Sequence, residues 1–155
     1  MGDITEREID VFLKAVGRYF EQITEEAALV QGAYLGERGQ LPLTYDFTGM
    51  IAISGRYAGC IYFSAPRQMI RHLLMAMHEP NQSDENLIDA VGEIANTLAG
   101  NARAHFGEHM EISVPISLAG APERIKSAVR ARPYVIRVHW KHYEAALIVD
   151  IERKD

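Results

Sequence analysis

Apolar residues near the start of the chain recur at helical spacing. They are Ile9, Phe12, Val16, Phe20 and Ile23, and together they form one stripe along a helix. Thr5 and Glu8 match the Ser/Thr-x-x-Glu pattern of a capping box, in which two backbone donors at the helix start are satisfied reciprocally. We therefore predict an amphipathic helix of about five turns that begins after Thr5.

The hydrophobic period then changes from helical spacing to two, which is typical of strands. A short strand is predicted at Leu29–Leu35, followed by a turn at residues 36–40. A longer strand is predicted from Leu41 to Ile53, with a bend or bulge at Gly49. Turn residues at 54–59 and a second apolar run at 60–63 predict a β-hairpin.

Two helices are predicted in the middle of the chain. The first has Pro66 in its first turn and an apolar stripe over residues 69–77. The second is capped by Ser83 or Asp84 and runs to about His105, where Gly107 ends it.

Three alternating apolar runs follow, at residues 112–118, 134–140 and 143–151. Pro115 cannot donate to a strand ladder, so the first run is predicted at a sheet edge or a bulge. The other two are joined tightly at Lys141 and His142, as in a hairpin. Tight hairpins require antiparallel neighbours. The predicted fold class is therefore α+β, an antiparallel sheet with long amphipathic helices packed on one face, and residues 1–155 are expected to form one domain.

Composition narrows the range of partners. The chain has 155 residues, 21 acidic against 16 basic, and a formal net charge of −5. This balance argues against nucleic acid or an anionic membrane as the main partner. A local basic segment at residues 124–132 is compatible with a solvated loop. No apolar run approaches the ~18 residues of a membrane span, and no signal peptide is recognisable, so a soluble cytoplasmic protein is expected.

The sequence contains no strong motif for a metal site or for a catalytic nucleophile. The single cysteine, Cys60, excludes an internal disulfide and is expected to be a buried small hydrophobe. His105 and His109 are four residues apart, but Gly107 lies between them at the predicted helix end. No third ligand follows at the spacing of a known metal-binding motif. We therefore expect no metal on this chain.

The long helix after Ser83 carries a polar stripe opposite its core face. At ~100° per residue, Asp89, Glu93, Asn96 and Gly100 fall on one side of the wheel. Glycine inside a helix destabilises it by ~0.5–1 kcal/mol relative to alanine, so the presence of Gly92 and Gly100 in this helix requires an explanation. Either another protein approaches this face closely, or the helix packs closely within its own fold.

The stripe resembles the motif of the CheC/CheX/FliY phosphatases of bacterial chemotaxis. In this sequence the motif is Asp89-x-x-x-Glu93-x-x-Asn96, followed by a strand proline at Pro115. The glycine-containing hairpin at residues 49–63 is also similar, and residues 93–101 are most similar to CheX-type members. The first helix contains no Glu-x-x-Asn, so the chain resembles the single-site CheX type. The stretch from Asn96 to Pro115 is shorter than in the family pattern, which we attribute to a shortened loop around residues 106–110.

The resemblance implies a phosphatase that acts on the aspartyl phosphate of a CheY-like receiver domain. Asn96 would position the attacking water, and Glu93 would pair with the receiver's lysine. Asp89, Gly92 and Gly100 would contact the partner. Mg²⁺ is then expected on the receiver and no cofactor on this chain. A homodimer is also implied. A non-catalytic module that binds a receiver or another signalling partner through the same helix is the alternative.

Overall fold

A computed structural model describes residues 2–24, 26, 28–35, 44–120 and 133–154. Strands and helices follow one another along the chain. In order they are β1 (Gly2–Asp3), α1 (Glu6–Ile23), β2 (Leu29–Leu35), β3 (Phe47–Gly55), β4 (Tyr57–Ala65), α2 (Arg67–Ala76), α3 (Asp84–Phe106), β5 (Met110–Ile112), β6 (Ile116–Ala119), β7 (Tyr134–Trp140) and β8 (Tyr143–Arg153).

Helix α1 begins at the predicted capping box. The Glu8 backbone N–H donates to Thr5 Oγ1 at 3.2 Å, and the Thr5 N–H donates to Glu8 Oε1 at 2.9 Å. The apolar stripe of the helix is buried, with Phe12, Val16 and Phe20 fully enclosed. Local sequence therefore determines both the start of α1 and the face that it presents to the core.

All strand pairs in the described residues are antiparallel, and the eight strands form one sheet in the order β2-β7-β8-β4-β3-β5. β1 extends the pairing of β8, and β6 pairs with β3 beside β5. The hairpins β3–β4 and β7–β8 lie at the predicted turns. The predicted α+β class with an antiparallel sheet is confirmed.

Two details of the first long strand were predicted wrongly. β3 begins at Phe47, and residues 44–46 are not strand, while residues 41–43 lie outside the described part of the chain. No bulge occurs at Gly49, because Thr48, Gly49 and Met50 pair in unbroken register with β4. The glycine has a different cause: a side chain there would overlap the backbone of α3, which crosses β3 at this point. The predicted turn at 36–40 and the basic segment at 124–132 also lie outside the described residues.

Pro115 divides the predicted strand at residues 112–118 into two. β5 and β6 both pair with β3, and residues 113–115 between them are not strand. The pair forms one edge of the sheet, so the predicted edge position of Pro115 is confirmed. Val114, which alternation placed in the strand, is 82% exposed in this break.

The main core lies between the sheet and its helices. α1, α2 and α3 all contribute to one cluster of buried side chains together with one face of the sheet. A smaller cluster on the opposite face contains only strand residues among its buried members, namely Met50, Cys60, Tyr62, Val135, Ala146 and Ile148. The three described helices therefore cover one face, as predicted, and Cys60 is buried.

Candidate functional site on helix α3

Both ends of α3 are set by the residues that the sequence indicates. Ser83 is the N-cap, and its Oγ accepts a hydrogen bond from the Asn86 N–H at 3.3 Å. Gly107 is the C-cap with φ 95°, a left-handed conformation that favours glycine. Leu87, Val91 and Leu98 are completely buried, which anchors the helix to the sheet. The polar stripe is thus displayed on a long, fixed support.

Asp89 and Glu93 are exposed on the outer face of α3, and Asn96 is half-buried beside them. Residues three and four apart on a helix are surface neighbours. No side chain or backbone group in the described part of the chain forms a hydrogen bond or ion pair with these three side chains. A carboxylate and a carboxamide therefore stand next to each other with their hydrogen-bonding capacity available to a partner.

Tyr19 on α1 lies near enough to this stripe for its phenol to feel the charge of Glu93. Its burial, and secondarily the negative charge of Glu93, raise the pKa of its phenol well above the usual value. The phenol consequently remains protonated at any physiological pH. No local pattern in the sequence signals this proximity, because it depends on how α1 packs against α3.

Gly92 does not lie on the open face, and the expectation that it leaves room for a partner is wrong. The residue is buried, and an added Cβ would overlap Ser117 Oγ and lie 3.5 Å from Pro115 Cβ. On the other side of the crossing, a Cβ on Gly49 would overlap the Val91 carbonyl oxygen and lie 2.8 Å from Gly92 Cα. Gly92 therefore serves close packing of α3 on the sheet, the alternative that the sequence left open.

Gly100 differs from Gly92 in its surroundings. An added Cβ there meets nothing within 4 Å, and the residue is only half-buried. Its place at the edge of the open face agrees with the helical wheel. A role for Gly100 in partner binding stays a prediction.

The two glycines should respond oppositely to leucine. Gly92→Leu should lower the free energy of unfolding by ~1–3 kcal/mol, because the larger side chain overpacks the contact with β6. Gly100→Leu should raise it by ~0.5–1 kcal/mol, because helix propensity improves in open space. Chemical denaturation of both variants measures the difference, and equal stabilities would contradict the packing role of Gly92.

The fold brings Pro115 next to the helix motif. Pro115 Cβ lies close to Gly92 of α3, and Gly92 directly precedes Glu93 in the sequence. The edge segment that carries it is held by two hydrogen bonds: Ala52 N donates to Ser113 Oγ at 2.9 Å, and Ser113 N donates to Ala52 O at 3.0 Å. Exposed Val114 therefore sits on an anchored edge beside α3, a feature that strand alternation alone could not reveal.

A cavity of about 430 Å³ opens on the other side of the stripe, between α1, α2 and α3, and we name it the α1–α3 groove. Asp89 and Glu93 lie on its wall, whereas Asn96 is not among its lining residues. The full lining consists of Tyr19, Gln22, Ile23, Leu74, Met77, Glu79, Asn86, Asp89, Ala90, Glu93, Ile94 and Thr97. The groove draws on three separate helices, so no single motif in the sequence signals it.

Within the described ranges, no three His, Cys, Asp or Glu side chains are grouped so as to hold a metal ion. None of the described helices is both long and apolar enough to cross a membrane. The expected absence of a metal on this chain stays a prediction.

Both the sequence and the fold of this chain are similar to those of known proteins. The model of the family described as "Chemotaxis phosphatase CheX" matches residues 47–139. The curated protein named CheY-P phosphatase CheX, from Thermotoga maritima, is 29% identical over 93 residues, which is 56% of this chain. The match spans 60% of that relative's length.

Solved structures of similar fold cover nearly the whole chain. A chemotaxis protein CheX from Desulfovibrio desulfuricans superposes with a TM-score of 0.77 at 18% identity, covering 94% of this chain and 99% of that one. A CheX from Borrelia burgdorferi, solved as a CheX-CheY-BeF3-Mg+2 complex, gives a TM-score of 0.68 at 17% identity and covers 94% and 97%. These likenesses establish the fold. The family model spans more than half of the chain and includes all of α3, so this protein belongs to the CheX family.

Proposed function

We propose that this protein is a phosphatase that hydrolyses the aspartyl phosphate of a CheY-like receiver domain. The observation that carries the proposal is that Glu93 and Asn96 lie next to each other on helix α3. Neither side chain forms a hydrogen bond or ion pair with another described residue. Membership of the CheX family and the similarity to a named CheY-P phosphatase support the assignment. The complex of the Borrelia burgdorferi CheX with CheY supports the choice of partner.

The proposed chemistry requires little of this chain. Phosphoryl transfer depends mainly on positioning and on stabilising charge, and the receiver is expected to bring Mg²⁺ and a lysine. Asn96 offers two N–H donors and a carbonyl acceptor without ionising, so it can hold a water in line with phosphorus. No cofactor on this chain and no nucleophilic side chain is needed.

Glu93 is proposed to dock the receiver. Its exposed carboxylate would accept a charge-assisted hydrogen bond from the receiver's lysine and fix the position of Asn96. Asp89 and Gly100 would lie at the edge of the same contact. Gly92 is not proposed as a partner residue, because it is buried against β6.

Glu93→Gln should therefore weaken receiver binding by about 10- to 100-fold, the effect of losing one hydrogen bond to a charged group, ~1.5–3 kcal/mol. The loss should shrink at high salt, because ions screen the wild-type interaction. Glu85→Gln serves as the control, because it removes the same charge from an exposed site on α3, one helix turn before Asp89 and two before Glu93. Titration of each protein with BeF₃⁻-activated receiver provides the measurement. Equal effects of the two substitutions would contradict a specific role for Glu93.

The site of action is proposed to be the cytoplasm, where a receiver partner would be phosphorylated. The implied homodimer stays a prediction.

The test of the proposed activity is phosphate release from a phosphorylated CheY-like receiver. The receiver is phosphorylated with a small donor and freed of it, and release is followed with this protein at substoichiometric amounts. The proposal predicts several receivers dephosphorylated per phosphatase molecule. Tight binding without acceleration would instead identify the non-catalytic binding module.

A further inference from the structure

We propose that the α1–α3 groove receives a second basic side chain of the receiver, a lysine or arginine distinct from the lysine paired with Glu93. This inference rests on the proposed function and extends its docking surface from the crest of α3 into the cavity beside it. The observations that carry it are the apolar floor of the groove, the charges on its wall and an unpartnered hydroxyl.

The floor of the groove is apolar. Leu74 and Ile94 are buried beneath it, and Met77 leaves 39% of its surface exposed at the rim. Methionine is flexible and polarisable, and it adapts to the shape of an incoming group. Such a floor suits an aliphatic stem better than a hydrated ion.

The wall of the groove is acidic. Asp89, Glu93 and Glu79 line it, and no lysine or arginine from the described residues does. Glu79 already accepts a hydrogen bond from the Asn81 N–H at 3.0 Å, and Glu93 is assigned to the first lysine, so Asp89 is the carboxylate left for the second basic side chain. A cationic head group complements this wall, whereas an acidic or phosphorylated segment would be repelled.

Tyr19 supplies an acceptor at the bottom of the groove. The residue is only 6% exposed, yet its hydroxyl forms no hydrogen bond with any described residue. The hydroxyl is not among the fully enclosed unpartnered atoms of the described residues, and Tyr19 lines the groove, so the oxygen is available to accept from a donor that enters it. Because the phenol stays protonated, it adds no charge of its own.

A lysine or arginine combines the required chemistry, since its methylene stem packs on apolar surface while its charged end reaches polar partners. The receiver is the favoured source because Asp89 and Glu93 belong to both the groove and the proposed docking face. A partner held at Glu93 would already bring its surface to the mouth of the groove.

Binding of BeF₃⁻-activated receiver to three groove variants tests the inference. Asp89→Asn, Met77→Ala and Tyr19→Phe should each weaken binding about five- to tenfold, the effect of losing one contributing interface residue. In dephosphorylation assays they should raise KM and leave kcat within twofold of wild type. Thermal melts of the variants verify that the fold is intact.

Matched controls lie outside the groove. Glu85→Gln removes one charge from the same helix as Asp89, and Met75→Ala truncates a methionine of α2 that is 56% exposed but absent from the groove lining. Both should bind the receiver within twofold of wild type. Controls that lose as much affinity as the groove variants would overturn the inference.

Substitution on the receiver identifies the occupant. Each exposed lysine and arginine around its phosphorylation site is changed to glutamine, and we expect one of them to be non-additive with Asp89→Asn. Additive effects at every position would overturn the inference. So would groove variants that change self-association of this protein while receiver binding stays unchanged, because the occupant would then be a second copy. A wild-type protein that binds through the groove but releases no phosphate would overturn the proposed activity and leave the groove assignment standing.

Discussion

Replacing Asn96 by alanine should lower the rate of receiver dephosphorylation by ~10²–10³, the usual effect of losing one positioned polar group in a transition state. Stability should not fall with it. The side chain is half-buried without a hydrogen bond to any described residue, and alanine is the better helix former by up to ~0.7 kcal/mol. Because Glu93 is retained, receiver affinity should change little.

Phosphate release, receiver binding and thermal melting of the same proteins separate the possible roles of Asn96. Asn101→Ala is the matched control, since Asn101 is an exposed asparagine on the same helix. A structural role for Asn96 predicts a destabilisation of ~1–3 kcal/mol, as for any buried polar group whose partner is removed. A stable Asn96→Ala protein with full activity would remove Asn96 from the mechanism.

Gly49→Ala should destabilise the fold strongly, by ~3 kcal/mol, at the upper end of the usual range for overpacking. The new Cβ would meet the backbone of Val91 and Gly92 rather than the end of a flexible side chain. Relief therefore requires α3 to move away from β3. Such a movement also displaces Glu93 and Asn96, so activity should decline in the fraction of protein that remains folded.

Chemical denaturation measures the effect of Gly49→Ala. Gly17→Ala is the control, because Gly17 lies in helix α1 and an added Cβ there meets nothing within 4 Å. The control should gain ~0.5–1 kcal/mol from better helix propensity. A Gly49→Ala protein as stable as wild type would show that α3 can shift freely on the sheet.

The features that local sequence determines were predictable. Thr5 and Ser83 cap their helices through contacts within three residues, and the hairpins follow from turn residues between alternating runs. The helical wheel of α3 likewise identified the exposed position of Glu93, because burial of Leu87, Val91 and Leu98 fixes the rotation of the helix.

Features that depend on which elements meet in space were not predictable. From the sequence alone, Gly49 is explained by a β-bulge and Gly92 by the docking of a partner. The real cause, the close crossing of α3 over β3, is visible only in the folded structure. The α1–α3 groove and its Tyr19 hydroxyl arise from three helices whose relative placement no local pattern specifies. The break at Val114 likewise reflects how Pro115 interrupts pairing with β3, which alternation of apolar residues does not register.

The most direct test of the central claim is the structure of this protein in complex with a BeF₃⁻-activated CheY-like receiver. We expect Asn96 to enter the receiver's phosphorylation site beside the beryllofluoride, with Glu93 on the receiver's lysine and a basic side chain in the α1–α3 groove. A receiver bound to another surface, with Asn96 facing solvent, would contradict it.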